Sequence, residues 1–460
     1  MTVDFSRELA RFVVDTDYDD IPAYVFETQK KSVLDAVAIT LGAATLGDGC
    51  KEMVEVATEN SYGAVGDAAV IGFGRKLPAP WAAFANASMA HSLDFGDTQM
   101  RAIVHSNAST FPAALAVAEK LGGVDGKTLL TALVIGSEVA CRVSLGVEQD
   151  LERYGFYMPP IYTSFGATAA VCKLLKLTEE QVVDAFSFDL CQTTCSAELM
   201  NNRDTVVRSI REAFAAKNAV LSGLLAQKGL KGFAEPFEGK LGFYHAYARD
   251  ETDLDRALEG LGSSFEAGTL YFKLWPSCAG THPVIASVKK LVEEDHIAPQ
   301  EIRRVHVVTS QRNRMLAEPE EIRKAPATSM IAKFSIPYTG AVAILRGDVT
   351  LDDFQPAALQ DGAVKALASK FTYEVNEAWG KAEGMNTDVT IFTDRGEHHH
   401  FYTEVGLPPR DATFEELTAK LRSCARHAVR PKSEEDLGRI ADTIRHMESL
   451  EDIAQFTSLL

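Results

Sequence analysis

Four short stretches of the chain carry side chains that could move protons or hold anions. The sharpest is His91-Ser92-Leu93-Asp94-Phe95-Gly96-Asp97-Thr98, with His105 seven residues further on. On a helix, His91, Asp94 and Asp97 or Thr98 would share a face, and general acid–base chemistry needs titratable groups whose behaviour is set by such neighbours. The same residues also read as a helix end capped by Asp94 and Asp97 with His91 in the core. Through His91, Asp94 and His105 they read as the metal site of a hydrolase, although His-x2-Asp is a weak metal signature. The second stretch runs from Tyr271 to Pro283 and places Lys273, Cys278 and His282 in a Pro/Gly-punctuated loop that leads into a helix. A helix N-terminus there would favour an anion; an ordinary crossover with a solvated lysine is the plainer alternative. The third is Arg203, Arg208 and Arg211, whose guanidinium forks suit carboxylates, or which form a solvated basic face. The fourth is Lys333 to Tyr338, where the phenol could donate a proton, anchor a carboxylate, or pack in a core.

These stretches need rigid elements to hold them. Apolar residues at helical spacing predict helices over Gln29–Leu46, Trp81–Ala90, Pro112–Leu121, Gly126–Leu145, Gly166–Leu177, Val182–Cys195 and Phe214–Gly229. Gly136 and Ala140 allow close helix contacts. Near Gly268 the character changes: Val305–Ser310, Asp388–Thr393 and Phe401–Val405 are rich in strand formers, and Asp394-Arg395-Gly396 makes a hairpin turn. Helical runs at Val284–Glu294, Tyr338–Leu345 and Ala363–Lys370 lie between them. After Pro408-Pro409 the chain is helical again over Thr413–His427 and Glu434–Leu450. The expected fold is mainly α: an all-α domain from residues 1–267 and 407–460, with a smaller α+β lid, 268–406, inserted in it. His398-His399-His400 falls on a strand, where alternation separates the middle ring from the other two, so it reads as a solvated sheet face.

The chain has 460 residues, 46% of them hydrophobic, and a formal charge of −18. That charge argues against nucleic acid as a partner, because phosphate binding needs a basic face. It leaves an anionic substrate open, since a few local cations reverse the field in a pocket. The seven cysteines are an odd number spread through apolar stretches, without a zinc-type Cys-x2-Cys pair. With no basic-then-apolar start and apolar windows broken short of a membrane span, a soluble cytoplasmic protein is expected. Phosphate loops of the Walker type, dinucleotide glycine fingerprints and Gly-x-Ser-x-Gly elbows are all lacking, which argues against ATP, NAD and serine-hydrolase chemistry.

The order of several blocks resembles the MmgE/PrpD family, which includes 2-methylcitrate dehydratase, cis-aconitate decarboxylase and iminodisuccinate epimerase. The blocks are AHSLDFGDT with its later His105, GFYMPP before SFGATAAVCKLLKLT, LKGFAEPFEG, YFKLWPSCAGTHP and AKFSIPYTGAVAIL. The resemblance covers nearly the whole chain. It implies a homodimer, no cofactor, a small polycarboxylate substrate, and an active site between helical domain and lid. Asp94, Thr98 and His105 fall where the family keeps active-site groups; Lys273, Cys278, His282 and Tyr338 fall in its lid-side segments. Three features depart from the dehydratase and decarboxylase pattern: Tyr157 stands where a His precedes Pro, Arg208 where a Lys is usual, and Gly96 in place of the middle Asp of DFDD.

The resemblance implies proton transfer, or loss of CO2, beside a carboxylate. The expected roles are His105 as base oriented by Asp94, Tyr157 or Tyr338 as the opposing acid, and Arg208 and Lys273 as carboxylate clamps, with Thr98, Cys278 and His282 binding substrate. A phenol is a far weaker acid than an imidazolium, so Tyr157 reads as a neutral proton donor. A dehydratase-type lyase is expected first, with epimerase as the alternative. A carboxylate-binding protein without catalysis is the reading from another class.

Overall fold

The computed structural model describes residues 4–148, 151–201, 205–380, 383–403 and 412–460. Two compact units emerge, Met1–Phe272 with Asp411–Leu460, and Lys273–Arg410. Their helices and small sheets bear out the mainly α fold with an α+β part.

The first unit begins with α1 (Phe5–Asp15), α2 (Ala23–Leu46), α3 (Cys50–Glu59), the strands β1 (Ala68–Val70) and β2 (Arg75–Leu77), and α4 (Ala79–Ser92). A two-residue strand β3 (Thr98–Gln99) follows, then α5 (Ser106–Leu121), α6 (Gly126–Leu145), α7 (Pro159–Leu174), α8 (Glu179–Leu190), α9 (Val207–Ile210) and α10 (Glu212–Gln227). Two short helices, α11 (Phe243–Ala248) and α12 (Leu254–Leu258), lead to β4 (Leu270–Tyr271), which pairs with β3 through Thr98 and Tyr271. That pairing keeps residues 268–272 in the first unit, so the boundary lies five residues later than the change of sequence character at Gly268.

Local chemistry explains several of these bounds. Asp125 caps α6 by accepting from the Thr128 N–H at 2.7 Å, and Thr178 with Gln181 forms a capping box at α8. α5 starts six residues before Pro112 and runs through it. The proline lacks a donor and would favour a break, but the helix is buried from Ser106 to Ala118 and packing holds it. α6 is long and apolar enough to cross a membrane, contrary to the windows expected to fall short, yet almost all of it is packed inside the unit. Its Arg142 binds Glu138 at 2.6 Å and the carbonyls of Ala257 and Ser264.

The second unit contains α13 (His282–Glu294), β5 (Ile302–Ser310), α14 (Glu320–Lys324), α15 (Ser329–Lys333), α16 (Ile336–Arg346), α17 (Gly362–Ala368), β6 (Phe371–Asn376), β7 (Thr387–Thr393) and β8 (Gly396–Tyr402). The sheet order is β6-β5-β7-β8, with β5 and β6 parallel and the other pairs antiparallel. β6 was not expected, and the third strand was expected at Phe401–Val405 rather than at β8; residues 404 and 405 lie outside the described residues. The three histidines of β8 alternate, with His398 on Asp295, His400 on Ser287 and His399 on Asp388. The chain ends with α18 (Phe414–Ala425), α19 (Glu434–Arg445) and α20 (Ala454–Thr457), and α18 packs on α2 in the first unit.

Candidate active site

In the first unit the candidate residues gather where α4 ends. α4 stops at Ser92, so the helical face expected for His91, Asp94 and Asp97 does not form. Asp94 instead takes a left-handed backbone, φ 51°, and its N–H donates to the His91 carbonyl at 3.0 Å. Asp tolerates that conformation better than most residues. The chain thereby turns off the helix and delivers Thr98 to β3. His105 is the residue just before α5 and is half-buried.

His105 Nδ1 lies 2.8 Å from the Asp97 carbonyl and 3.2 Å from the Thr98 hydroxyl. A carbonyl only accepts, so Nδ1 carries the proton and Nε2 is the position that gains or loses one. At Nδ1 the ring is thus held by the Asp97 main chain and the Thr98 hydroxyl.

The His105 ring packs on that of His91, centroids 4.4 Å apart. His91 Nε2 accepts from Arg211 Nη2 at 2.7 Å. Arg211 in turn lies over the Tyr157 ring, 5.0 Å from its centroid, and Arg208 approaches the same ring at 5.6 Å. Arg211 is buried and is steadied by the adjacent Glu212, 3.3 Å away. The Glu212 carboxylate also accepts from Ser109 and Thr163, at 2.6 and 2.9 Å. The Tyr157 backbone is fixed by its N–H on the Cys195 carbonyl at 2.9 Å.

Thr98, His105, Tyr157 and Arg208 therefore come together through His91 and Arg211, two residues present in the candidate stretches but given no role in the expected mechanism. Spacing offered a signal for Arg211, one helical turn after Arg208. Nothing distinguished Glu212, a carboxylate at the start of an Ala- and Leu-rich helix. Arg203, the first arginine of that stretch, lies outside the described residues.

The second unit holds the remaining candidates. Lys273 is its first residue and is buried. Cys278 is half-buried, is a free thiol, and donates its N–H to the Lys333 carbonyl at 2.9 Å. His282 opens α13, and its Nε2 donates to the Trp275 carbonyl at 3.1 Å while its ring meets Trp275 edge-on. Tyr338 corrects the expectation. Its side chain is fully buried in the apolar core of this unit and its hydroxyl donates to the Asp353 carbonyl at 2.5 Å. With its hydroxyl committed to that carbonyl inside the core, Tyr338 is placed as a core residue, and burial pushes the phenol well above its ordinary range. Among the described residues no three His, Cys, Asp or Glu groups are placed to hold a metal ion, including the trio of the hydrolase reading.

The MmgE/PrpD N-terminal domain model matches residues 7–254 and the MmgE/PrpD C-terminal domain model residues 275–445. The chain belongs to the MmgE/PrpD family. It is an enzyme of that family by this membership and by its relatives. A cis-aconitate decarboxylase-like protein, oryM, of Aspergillus oryzae is 26% identical over 99% of this chain and 97% of its own length. The human cis-aconitate decarboxylase is 26% identical over 95% of this chain and 90% of its own. That of Aspergillus terreus is 27% identical over 81% and 78%. The C-terminal family model runs on through α18 and the whole of α19, helices that the fold assigns to the first unit.

Proposed function

We propose that the chain is a cofactor-independent lyase of small di- or tricarboxylates, and that loss of CO2 from a tricarboxylate of the cis-aconitate type is the reaction to test first. The observation that carries this reading is His105, its Nδ1 committed to a carbonyl, its ring packed against a His91 that is itself held by the buried Arg211. When a C–COO⁻ bond breaks, its electron pair stays on carbon and spreads into the neighbouring carboxylate. That charge calls for cations, the role given to Arg208 and Arg211. The carbon then takes a proton, the role given to His105 Nε2. In dehydration the same Nε2 would remove a proton beside the carboxylate, and Tyr157 would protonate the leaving hydroxyl. The names of the relatives support decarboxylation ahead of the dehydration expected from sequence. Lys273, Cys278 and His282 stay as candidates on the family likeness, and Asp94 and Thr98 as supports of the His105 turn.

The test is incubation with cis-aconitate, citrate, 2-methylcitrate and smaller dicarboxylates in D2O, followed by NMR. Loss of CO2 with one deuterium incorporated is the expected outcome. Loss of water would restore the dehydratase reading, and deuterium uptake without net conversion would indicate an epimerase. No change with any of them would overturn catalysis on this substrate class. The family likeness also supports a homodimer. Sedimentation should then give twice the 50.0 kDa chain mass, and a species at the single-chain mass would refute it.

A further inference from the structure

A ring held by a main-chain carbonyl is only as fixed as the turn that carries the carbonyl. The turn from Leu93 to Asp97 lies between the end of α4 and β3 and has no helical or sheet ladder of its own. Its anchors come from elsewhere in the first unit. Asp97 N–H donates to Asp35 Oδ2, on α2, at 3.0 Å. Lys420 Nζ, on α18, donates to the other oxygen of Asp35 and to the Phe95 carbonyl at 2.6 Å, and lies over the Phe95 ring. The Asp97 carboxyl is bonded to Ser32, whose hydroxyl also accepts from Asn107 Nδ2 at 2.6 Å. Asp35, Asp97 and Lys420 are all at least 95% buried, so these contacts are little weakened by solvent. A chain of contacts thus runs from Lys420 to Asp35, to the Asp97 peptide, and to His105 Nδ1.

We propose that Lys420 is a positioning residue for the candidate site: paired with Asp35, it fixes the 95–97 main chain so that the Asp97 carbonyl keeps the His105 proton on Nδ1. Its path to His105 runs through Asp35 and the Asp97 main chain. Without it the carbonyl turns away, both tautomers of His105 become populated, and Nε2 is no longer held as the exchanging position. A lysine that merely ties α18 to α2 would affect stability and leave the tautomer alone. Only the effect on rate depends on the role given to His105 above.

The test uses the full chain with 15N-labelled histidine rings, the His105 signals being assigned with His105→Ala. Lys420→Met alone strands a buried carboxylate and endangers folding. The paired variant Asp35→Asn/Lys420→Met removes both charges at nearly constant volume, and Lys420→Gln is the second variant. At a pH high enough for the ring to be neutral, Nδ1 of the native chain should give an N–H-type shift and Nε2 a lone-pair-type shift. In the folded variants both should move toward the tautomer average. With cis-aconitate, kcat should fall roughly tenfold to a hundredfold with little change in KM. Unchanged His105 shifts in a folded variant would overturn the proposal. Changed shifts with an unchanged rate would uphold it and remove His105 from the chemistry instead.

Discussion

His105 and Tyr338 entered as partners in one reaction, and their surroundings separate them. Replacing His105 by Ala should lower turnover at least about a hundredfold while circular dichroism stays native; a near-normal rate would remove it from the mechanism. The sign of the pH dependence distinguishes its two roles. If Nε2 delivers a proton after CO2 loss, kcat declines as rising pH deprotonates the ring. If Nε2 removes a proton in dehydration, kcat declines as pH falls. Tyr338→Phe should leave kcat unchanged and cost about 1–3 kcal/mol in urea unfolding, because the Asp353 carbonyl loses its buried donor. A large loss of kcat in a folded Tyr338→Phe protein would refute the core assignment. The difference was legible: Tyr338, Ala341, Val342 and Leu345 repeat at i, i+3, i+4 and i+7, an inward stripe. The role of the Asp97 carbonyl was not legible, since a main-chain acceptor leaves no mark in residue type.

Helices whose apolar pattern ran unbroken were readable almost to the residue, as Gly126–Leu145 became α6. Elements were misjudged where long-range packing overrode local preference. α5 continues through Pro112 because its neighbours bury it. β6 escaped notice although Phe371, Tyr373 and Val375 alternate with Thr372, Glu374 and Asn376: the run is only six residues long, and the parallel pairing with β5 that creates the strand joins distant residues. Contacts between helices follow the same division. Gly136 was recognisable as a close-approach residue on α6, but its partner was not. A Cβ there would meet Thr110 Cγ2 at 2.5 Å, the Gly166 carbonyl at 2.7 Å and Ala170 Cβ at 2.9 Å. The backbone of α7 cannot yield as a long side chain would. Gly136→Ala should therefore destabilise by about 1–3 kcal/mol despite the better helix propensity of Ala. A thermal midpoint equal to the native one would mean that α6 and α7 separate more easily than this packing implies.

At the scale of the whole molecule, a chain of net charge −18 keeps several carboxyls out of water, and stability must then depend on pH. Asp189 on α8 is completely buried, with its Oδ1 accepting from Ser164 at 2.7 Å and, among the described residues, no cation paired with it. Burial pushes it up to about 7, against the opposing hydrogen bond of Ser164. Asp97 is pushed up to about 7 as well, by burial and then by the neighbouring charge of Asp35. For a carboxyl raised in the folded state, the native form binds the extra proton. Its contribution to stability is whole below the unfolded value near 4 and is lost as pH rises through about 7. Asn cannot ionise and fills nearly the same space, so Asp189→Asn isolates this effect far from the candidate site. The difference in unfolding free energy, variant minus native, should rise with pH between about 4 and 7 by roughly 1.4 kcal/mol per unit at most, then level off. Urea titrations at four or more pH values would measure it. A difference that stays flat would mean that Asp189 is solvated or paired in the folded chain and ionises as an ordinary carboxylate. A difference that falls with pH would place a cation beside it.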